Sequence, residues 1–449
     1  MQIPSDVFKA YDIRTIYAKG ETEELAYRVG RSLVYQQNTD TVVVGRDSRV
    51  TSPDLASCAC RGACAAGARV FNAGLVSTDQ FYYICNSRRV PGIMVTASHN
   101  PAEYNGFNLV SSDGSTIGQG SGMEDIEDGV RMCAASDGDG SKEVTDIDTL
   151  EEFLDRLSSI VPPETVAKAE LVVDAGNGTL GPLLSSLKDR YTALNIRELY
   201  WEPDGTFPNR GPDPLKDKNR EVLKEEVIKG EQRIGVSFDA DGDRVFVLDE
   251  RGRFIQPDII GSLLSEFFLL REPGEGVVHD ITVSRILSET VGRCGGTSYA
   301  ERVGHTYIKQ RMKKENAVFG VERSGHFYFR DFYYADSGVL AMLFLLSVLA
   351  EKGRSLAECV DPYMGVYHVT DPMSFPVKED LHDVLDRLAD TFSDGTVSRR
   401  DGVAVDYETW RFVVRPSNTE PVVRVVVEAT TPDILKERTA ELERVITRS

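Results

Sequence analysis

Four short stretches of the 449-residue chain bring together polar side chains that could do chemistry. The first, V-T-A-S-H-N-P-A-E-Y-N-G-F-N, runs from Val95 to Asn108. Val95 and Thr96 end a strand-like run, so Ser98 falls at a strand's carboxyl end, where α/β folds present ligand contacts. Pro101 and Gly106 are expected to bend the loop and expose the Ser98 hydroxyl. A serine hydroxyl is a weak nucleophile unless a base or metal stands beside it, and His99 is the adjacent base. A polar turn capping the next helix would use the same residues. The second stretch is S-F-D-A-D-G-D-R, Ser237–Arg244. In an extended loop alternate side chains point the same way, so Asp239, Asp241 and Asp243 converge. Converging carboxylates repel unless a cation sits among them, and hard oxygen ligands favour Mg²⁺. With Glu250 in the twelfth position the run imitates an EF-hand loop. The sixth position, which needs Gly, is Arg244, and strands flank the loop, so that reading is rejected. Arg244 beside a cation suits an arriving phosphoryl group. Third, R-P-S-N-T-E-P-V-V-R (Arg415–Arg424) offers hydroxyl and amide groups from Ser417, Asn418 and Thr419, with guanidinium donors from Arg415 and Arg424. It reads as a phosphate cradle, although a hairpin turn with surface arginines has the same composition. Fourth, Gly320–His326 (G-V-E-R-S-G-H) sets Glu322 and Ser324 two apart on a glycine-bounded loop. Glu322 can accept hydrogen bonds from two adjacent hydroxyls, as a sugar offers, or serve in an ordinary hairpin turn.

These loops need elements to hold them. Thr41–Gly45, Gly92–Thr96, a run from Leu171, Arg233–Phe238, Val245–Asp249 and Ala317–Val321 read as strands. Ser52–Gly67 and Gly338–Ala350 read as helices, the latter buried. The alternation predicts α/β units. The last stretch differs: strands Trp410–Arg415 and Val422–Ala429 followed by a helix Pro432–Ile446 predict a smaller α+β domain. Ser136–Glu143, rich in Asp and Gly, reads as a solvated linker that no strand frames. Cys58, Cys60 and Cys64 lie in a small-residue helical stretch without a nearby His and read as packing residues rather than metal ligands.

Bulk composition narrows the field. At 449 residues the chain exceeds one core, and 41% hydrophobic residues suffice for packed domains. A net charge of −20 disfavours a nucleic-acid or anionic-membrane partner but leaves room for a small phosphorylated ligand held by a local arginine cluster. Seven scattered cysteines suit a reducing cytoplasm, and no signal peptide or membrane span is expected.

Together the motifs resemble the α-D-phosphohexomutase superfamily, of the phosphomannomutase/phosphoglucomutase type. F-K-A-Y-D-I-R (Phe8–Arg14), T-A-S-H-N-P, D-A-D-G-D-R, V-G-H-T-Y-I-K (Val303–Lys309) with V-E-R-S-G-H, and R-P-S-N-T-E-P occur in the family's order across almost the whole chain. The resemblance implies three αβα-sandwich domains (1–148, 149–250 and 251–365) and a C-terminal α+β domain (366–449) around a central cleft. It implies an isomerase that interconverts hexose 1-phosphate and hexose 6-phosphate through phospho-Ser98 and a 1,6-bisphosphate. Mg²⁺ would be held by Ser98, Asp239, Asp241 and Asp243, and glucose 1,6-bisphosphate or mannose 1,6-bisphosphate would serve as activator. Arg14 and Arg244 would neutralise charge. Glu322, Ser324, Gly304 and Asn108 would face the sugar, and Arg415, Ser417, Asn418, Thr419 and Arg424 its distal phosphate. The partner would be a small sugar phosphate, and the enzyme a cytoplasmic monomer or homodimer.

The chain departs from the family pattern at four positions. Asn108 and Thr282 stand where the family carries lysines, Val321 replaces the first Gly of the sugar loop, and Thr15 replaces the Gly after Arg14. Asparagine cannot titrate, so the proton role passes in this reading to His99, to His305 or to a residue the motifs do not identify. A mutase for an amino-sugar or pentose phosphate, and a phosphosugar phosphatase, are the alternatives.

Overall fold

The computed structural model describes residues 4–133, 142–230, 233–377, 379–416 and 422–447. The chain divides into two compact units, residues 1–256 with 324–359, and residues 257–323 with 360–449.

The first unit holds two mixed sheets. In one, Thr41–Arg46 lies between parallel neighbours Arg69–Leu75 and Gly92–Val95. Gly92–Val95 pairs antiparallel with Tyr104–Val110, which pairs antiparallel with Ile13–Ile16. Central strands buried on both faces read as unbroken apolar runs, and Val42, Val43 and Val44 are all fully buried. The helices Glu21–Gln37 and Ser52–Ala65 cover this sheet, with Cys58, Cys60 and Cys64 buried in its core, so their packing role holds. The second sheet places Arg233–Phe238 between the parallel strand Ala169–Asp174 and the antiparallel strand Val245–Leu248. The same unit contains the hairpin strands Phe327–Phe329 and Ala335–Asp336, then the helix Gly338–Lys352. That helix is buried from Gly338 to Leu349. Its apolar run has no polar face because it is surrounded, as a helix hydrophobic all round must be. Ser337 caps it, accepting from the Leu340 N–H at 3.1 Å.

In the second unit Gly276–Asp280 runs parallel to both Thr297–Glu301 and Phe319–Val321. An antiparallel sheet follows, in which Val422–Ala429 pairs with Trp410–Pro416 and Met373–Pro376, backed by Leu381–Thr391 and Pro432–Ile446. This matches the α+β character expected of the C-terminal stretch.

Two expectations need correction. Gly106 does not bend the chain but lies inside the strand Tyr104–Val110. A Cβ there would sit 2.2 Å from the Ile13 carbonyl oxygen, so the glycine admits the close approach of the neighbouring strand. The linker expected at Ser136–Glu143 falls largely outside the described residues. A strand does border it, because Val144–Asp146 pairs with Arg69–Leu75. No described helix is long and apolar enough to cross a membrane.

Candidate active site

In the first unit two loops leave the carboxyl ends of strands and meet. One follows Gly92–Val95 and carries Ser98; the other follows Arg233–Phe238 and carries the aspartates. Ser98 has a left-handed φ of 46°, a conformation that costs a non-glycine residue about 1–3 kcal/mol and persists only where its surroundings hold it. Its N–H donates to Thr96 Oγ1 at 2.9 Å. Its hydroxyl donates to Asp239 Oδ2 at 2.9 Å and lies 3.2 Å from His99 Nδ1. The hydroxyl is therefore engaged rather than exposed, and Ser98 is buried, contrary to the expectation drawn from the bend.

Asp239, Asp241 and Asp243 do converge: a carboxylate oxygen from each lies within 4.8 Å of the others, and all three residues are buried. The turn that gathers them needs Gly242 at φ 80°. The Gly242 and Arg244 N–H groups both donate to Asp239 Oδ1 at 3.2 Å. Thr78 and Thr96 hydroxyls donate to Asp241 Oδ2 at 2.8 and 2.9 Å. Burial, with Asp243 alongside, pushes Asp239 up to about 7; burial and then Asp239 push Asp241 up to about 7. Asp241 Oδ1 is buried and accepts no hydrogen bond, and Asp243 Oδ1 has His326 Nε2 near it, at 3.6 Å. A buried acceptor without a donor, beside mutually repelling carboxyls, fits a hard divalent cation such as Mg²⁺.

One positive group, Arg244, stands against the trio, and another, Arg14, holds the serine loop. Arg244 Nε lies 3.7 Å from Asp239 Oδ2 and 3.2 Å from His326 Nε2. Arg14 donates to Asn100 Oδ1 at 2.7 Å and pairs with Asp12. Desolvation, then Arg244 and Arg14, hold the His99 imidazole well below its ordinary value, so the ring is neutral at pH 7. His326 and Asp336, neither of which was assigned a role from sequence, join Asp243 in a second buried group. His326 Nδ1 is 2.8 Å from Ser324 Oγ. Asn108 is buried on its strand, opposite Met94.

The second unit carries the other motifs. Glu322 is buried and accepts from the Gly304 N–H at 2.8 Å, where the helix His305–Glu315 begins. Thr282 donates both its N–H and its hydroxyl to Asp280 Oδ1, while Asp280 Oδ2 accepts the Arg323 N–H at 2.9 Å. Arg415 Nε pairs with Asp401. Arg415 and Arg424 are direct cross-strand partners. Like charges so placed repel, and the Asp401 carboxylate already relieves part of this at Arg415. Ser417, Asn418 and Thr419 lie outside the described residues.

Comparison with known proteins accounts for this arrangement. Phosphoglucomutase/phosphomannomutase domain models match in order: the alpha/beta/alpha domains I, II and III over residues 5–132, 151–252 and 256–367, and the C-terminal domain over 373–445. The chain is 36% identical over 451 residues to the phosphohexose mutases of Xanthomonas campestris strain B100, covering 99% of this chain and all of that one. It is 35% identical over 434 residues to the phosphomannomutase of Escherichia coli K12, covering 94% of each. A crystal structure of a phosphoglucomutase/phosphomannomutase family protein from Burkholderia thailandensis superposes with a TM-score of 0.86 at 31% identity, covering 99% of this chain and 97% of that one. The chain belongs to the phosphoglucomutase/phosphomannomutase family, and its four-domain architecture is that of the phosphohexomutases. By reaction class it is a phosphomutase, an isomerase.

Proposed function

We propose that this enzyme interconverts the 1- and 6-phosphates of glucose or mannose by way of a phosphoryl group carried on Ser98. The observation that carries the reading is the Ser98 hydroxyl, held in a left-handed backbone turn 2.9 Å from the first of three gathered aspartates. A purely binding site has no need of a strained nucleophile at a cation site.

Asp239, Asp241 and Asp243, with Ser98, would hold Mg²⁺, which when bound supplies charge neutralisation for the phosphoryl group. Arg244 adds a fixed positive charge beside them, and Arg14 fixes Asn100 in the serine loop. A sugar hydroxyl attacks the phosphorus, its new O–P bond forms as the bond to Ser98 Oγ breaks, and its proton must leave. Asn108 cannot take that proton, and the Thr282 hydroxyl is already donated to Asp280. Of the two histidines first considered, His99 is the one that contacts Ser98 directly, while its lowered basicity makes it a weak acceptor that would have to pass the proton on. His305, at the start of its helix, is the other. Glu322 and Ser324 would hold ring hydroxyls, and the cross-strand pair Arg415 and Arg424 would take the distal phosphate, with Ser417, Asn418 and Thr419 between them in sequence. In this reading the bisphosphate turns over between two transfers, and a trace of glucose or mannose 1,6-bisphosphate keeps the enzyme charged. We assign the domains to residues 1–148, 149–250, 251–365 and 366–449.

Intact-mass spectrometry after incubation with glucose 1,6-bisphosphate and Mg²⁺ tests the carrier. The wild type is expected to gain one phosphoryl group, mapped to Ser98, and Ser98→Ala to gain none. A wild type that is never phosphorylated, or a Ser98→Ala variant that still turns over, contradicts the reading.

A further inference from the structure

We propose that two buried aspartate–arginine pairs, Asp47–Arg49 and Asp174–Arg210, are the positioning devices of the reaction, the first locking the serine loop and the second the aspartate loop. This rests on Ser98 as phosphoryl carrier and on the aspartates as cation ligands.

Both pairs occupy the same place in their sheets. Thr41–Arg46 is the parallel neighbour of the strand that leads to Ser98, and Asp47 follows it at once. Ala169–Asp174 is the parallel neighbour of the strand that leads to Asp239, and ends in its own aspartate. Each aspartate anchors an arginine whose side chain reaches across to its neighbour, Arg49 to the serine loop and Arg210 to the last two residues of the strand that leads into the aspartate loop.

Arg49 is completely buried, as is Asp47. Its Nε donates to Asp47 Oδ2 at 3.1 Å. One terminal nitrogen donates to the carbonyls of Pro101 and Tyr104 at 2.7 and 3.0 Å. The other donates to the carbonyls of Ser98 and Asn100 at 2.7 and 2.6 Å. A guanidinium has five N–H donors, and all five are engaged here, four of them by carbonyls of one irregular loop. Arg49 therefore has no donor left for a substrate phosphate. Its interactions instead fix the backbone from the Ser98 carbonyl onward, while the Ser98 N–H bond to Thr96 Oγ1 holds the preceding side, which explains how the strained turn persists. Arg210 repeats the device. Its Nε donates to Asp174 Oδ2 at 2.6 Å, and a terminal nitrogen donates to the Phe238 carbonyl at 2.6 Å and to Ser237 Oγ at 3.1 Å, immediately before Asp239. A lysine ammonium keeps the charge but cannot reproduce the planar fork.

The test compares Arg49→Lys and Arg210→Lys with the wild type, using glucose 1-phosphate, Mg²⁺ and a trace of glucose 1,6-bisphosphate. For Arg49→Lys, kcat is expected to fall by roughly tenfold or more, since small misplacements of reacting groups are costly, with KM within about twofold. Phosphorylation of Ser98 by glucose 1,6-bisphosphate, followed by intact mass, should slow in parallel. For Arg210→Lys, Mn²⁺ binding followed by electron paramagnetic resonance should weaken by roughly fivefold or more, as expected when groups that orient metal ligands are lost. Tyr191→Phe removes a buried hydrogen bond to the Val161 carbonyl far along the sequence from either loop, and serves as the control that loses stability while keeping kcat. If Arg49→Lys does not fold, Asp47→Asn, which keeps the guanidinium and removes its anchor, is read by the same quantities. Folded variants with kcat, phosphorylation rate and Mn²⁺ affinity within about twofold of wild type overturn the proposal. A raised KM at unchanged kcat also overturns it, since Arg49 would then be a substrate ligand. Active Ser98→Ala would remove the reading beneath it, whereas inactive Ser98→Ala beside wild-type-like lysine variants sinks this proposal alone.

Discussion

At the scale of single residues the site is governed by crowded negative charge. Asp239, Asp241 and Asp243 are each pushed upward by burial and by one another. Removing one charge while keeping its shape should relieve the others. Asp241→Asn is therefore expected to leave the metal-free thermal midpoint unchanged or raised, and to shrink the rise that Mg²⁺ produces in the wild type. A normal Mg²⁺-induced rise in the variant, seen by scanning fluorimetry, would contradict a cation bound at the trio. This cluster was legible because three acids alternate within five positions, a short-range pattern. The buried arginines were not, because Arg49 and Arg210 look in sequence like any surface arginine until a neighbouring strand brings loop carbonyls to them. His326 meets Arg244 across a separation of 82 residues, a contact that no local pattern announces.

At the scale of elements, the strand edges and helix caps decide what the loops can do. Gly106→Ala would force a Cβ against the Ile13 carbonyl at 2.2 Å and press toward that of Thr96 at 3.1 Å. Overpacking of this kind costs about 1–3 kcal/mol, and the urea midpoint of the variant should drop accordingly. An unchanged midpoint would show that the strand pair can open without loss. Ser337 both accepts the Leu340 N–H and donates to Asp79 Oδ2 at 2.6 Å. Ser337→Ala should cost about 1–2 kcal/mol through the lost cap alone, measured in the same way. Most strands and the buried helix were readable from apolar runs of the right length. Gly106 was misread because a glycine required for close strand approach is indistinguishable, in one sequence, from a glycine that breaks a strand. The buried state of Ser98 was missed for a related reason: its partner Asp239 lies 141 residues away.

At the scale of the whole molecule, the four domains follow from the order of the motifs, but the division into compact units does not. Residues 324–359 group with the first 256, and a boundary of that kind leaves no mark on composition. The α+β character of the C-terminal stretch was legible from its paired apolar strands, whereas the loop at Ser417, Asn418 and Thr419 lies outside the described residues. Buried titrating groups also set how the molecule responds to acid. Burial holds His279 down at about 4, with its Nδ1 2.8 Å from the Asp280 carbonyl. Unfolded, the ring titrates near 6.5, so between those values the unfolded chain binds the extra proton. The contribution of this neutral histidine is fully present above pH 6.5 and is lost as pH falls toward 4. The raised Asp79, Asp239, Asp241 and Asp280 carboxyls act in the opposite direction over the same window, so the readout is the difference between proteins: as pH falls, the thermal midpoint of the wild type should drop relative to that of His279→Gln, and equal slopes would remove His279 as a cause. The central claim is tested most directly by ³¹P NMR of the enzyme with Mg²⁺, a trace of glucose 1,6-bisphosphate, and glucose 1-phosphate or mannose 1-phosphate in turn. A growing hexose 6-phosphate signal at the expense of the 1-phosphate, absent in Ser98→Ala, is the predicted result. Inorganic phosphate as the sole product, or no change with either sugar, would contradict it.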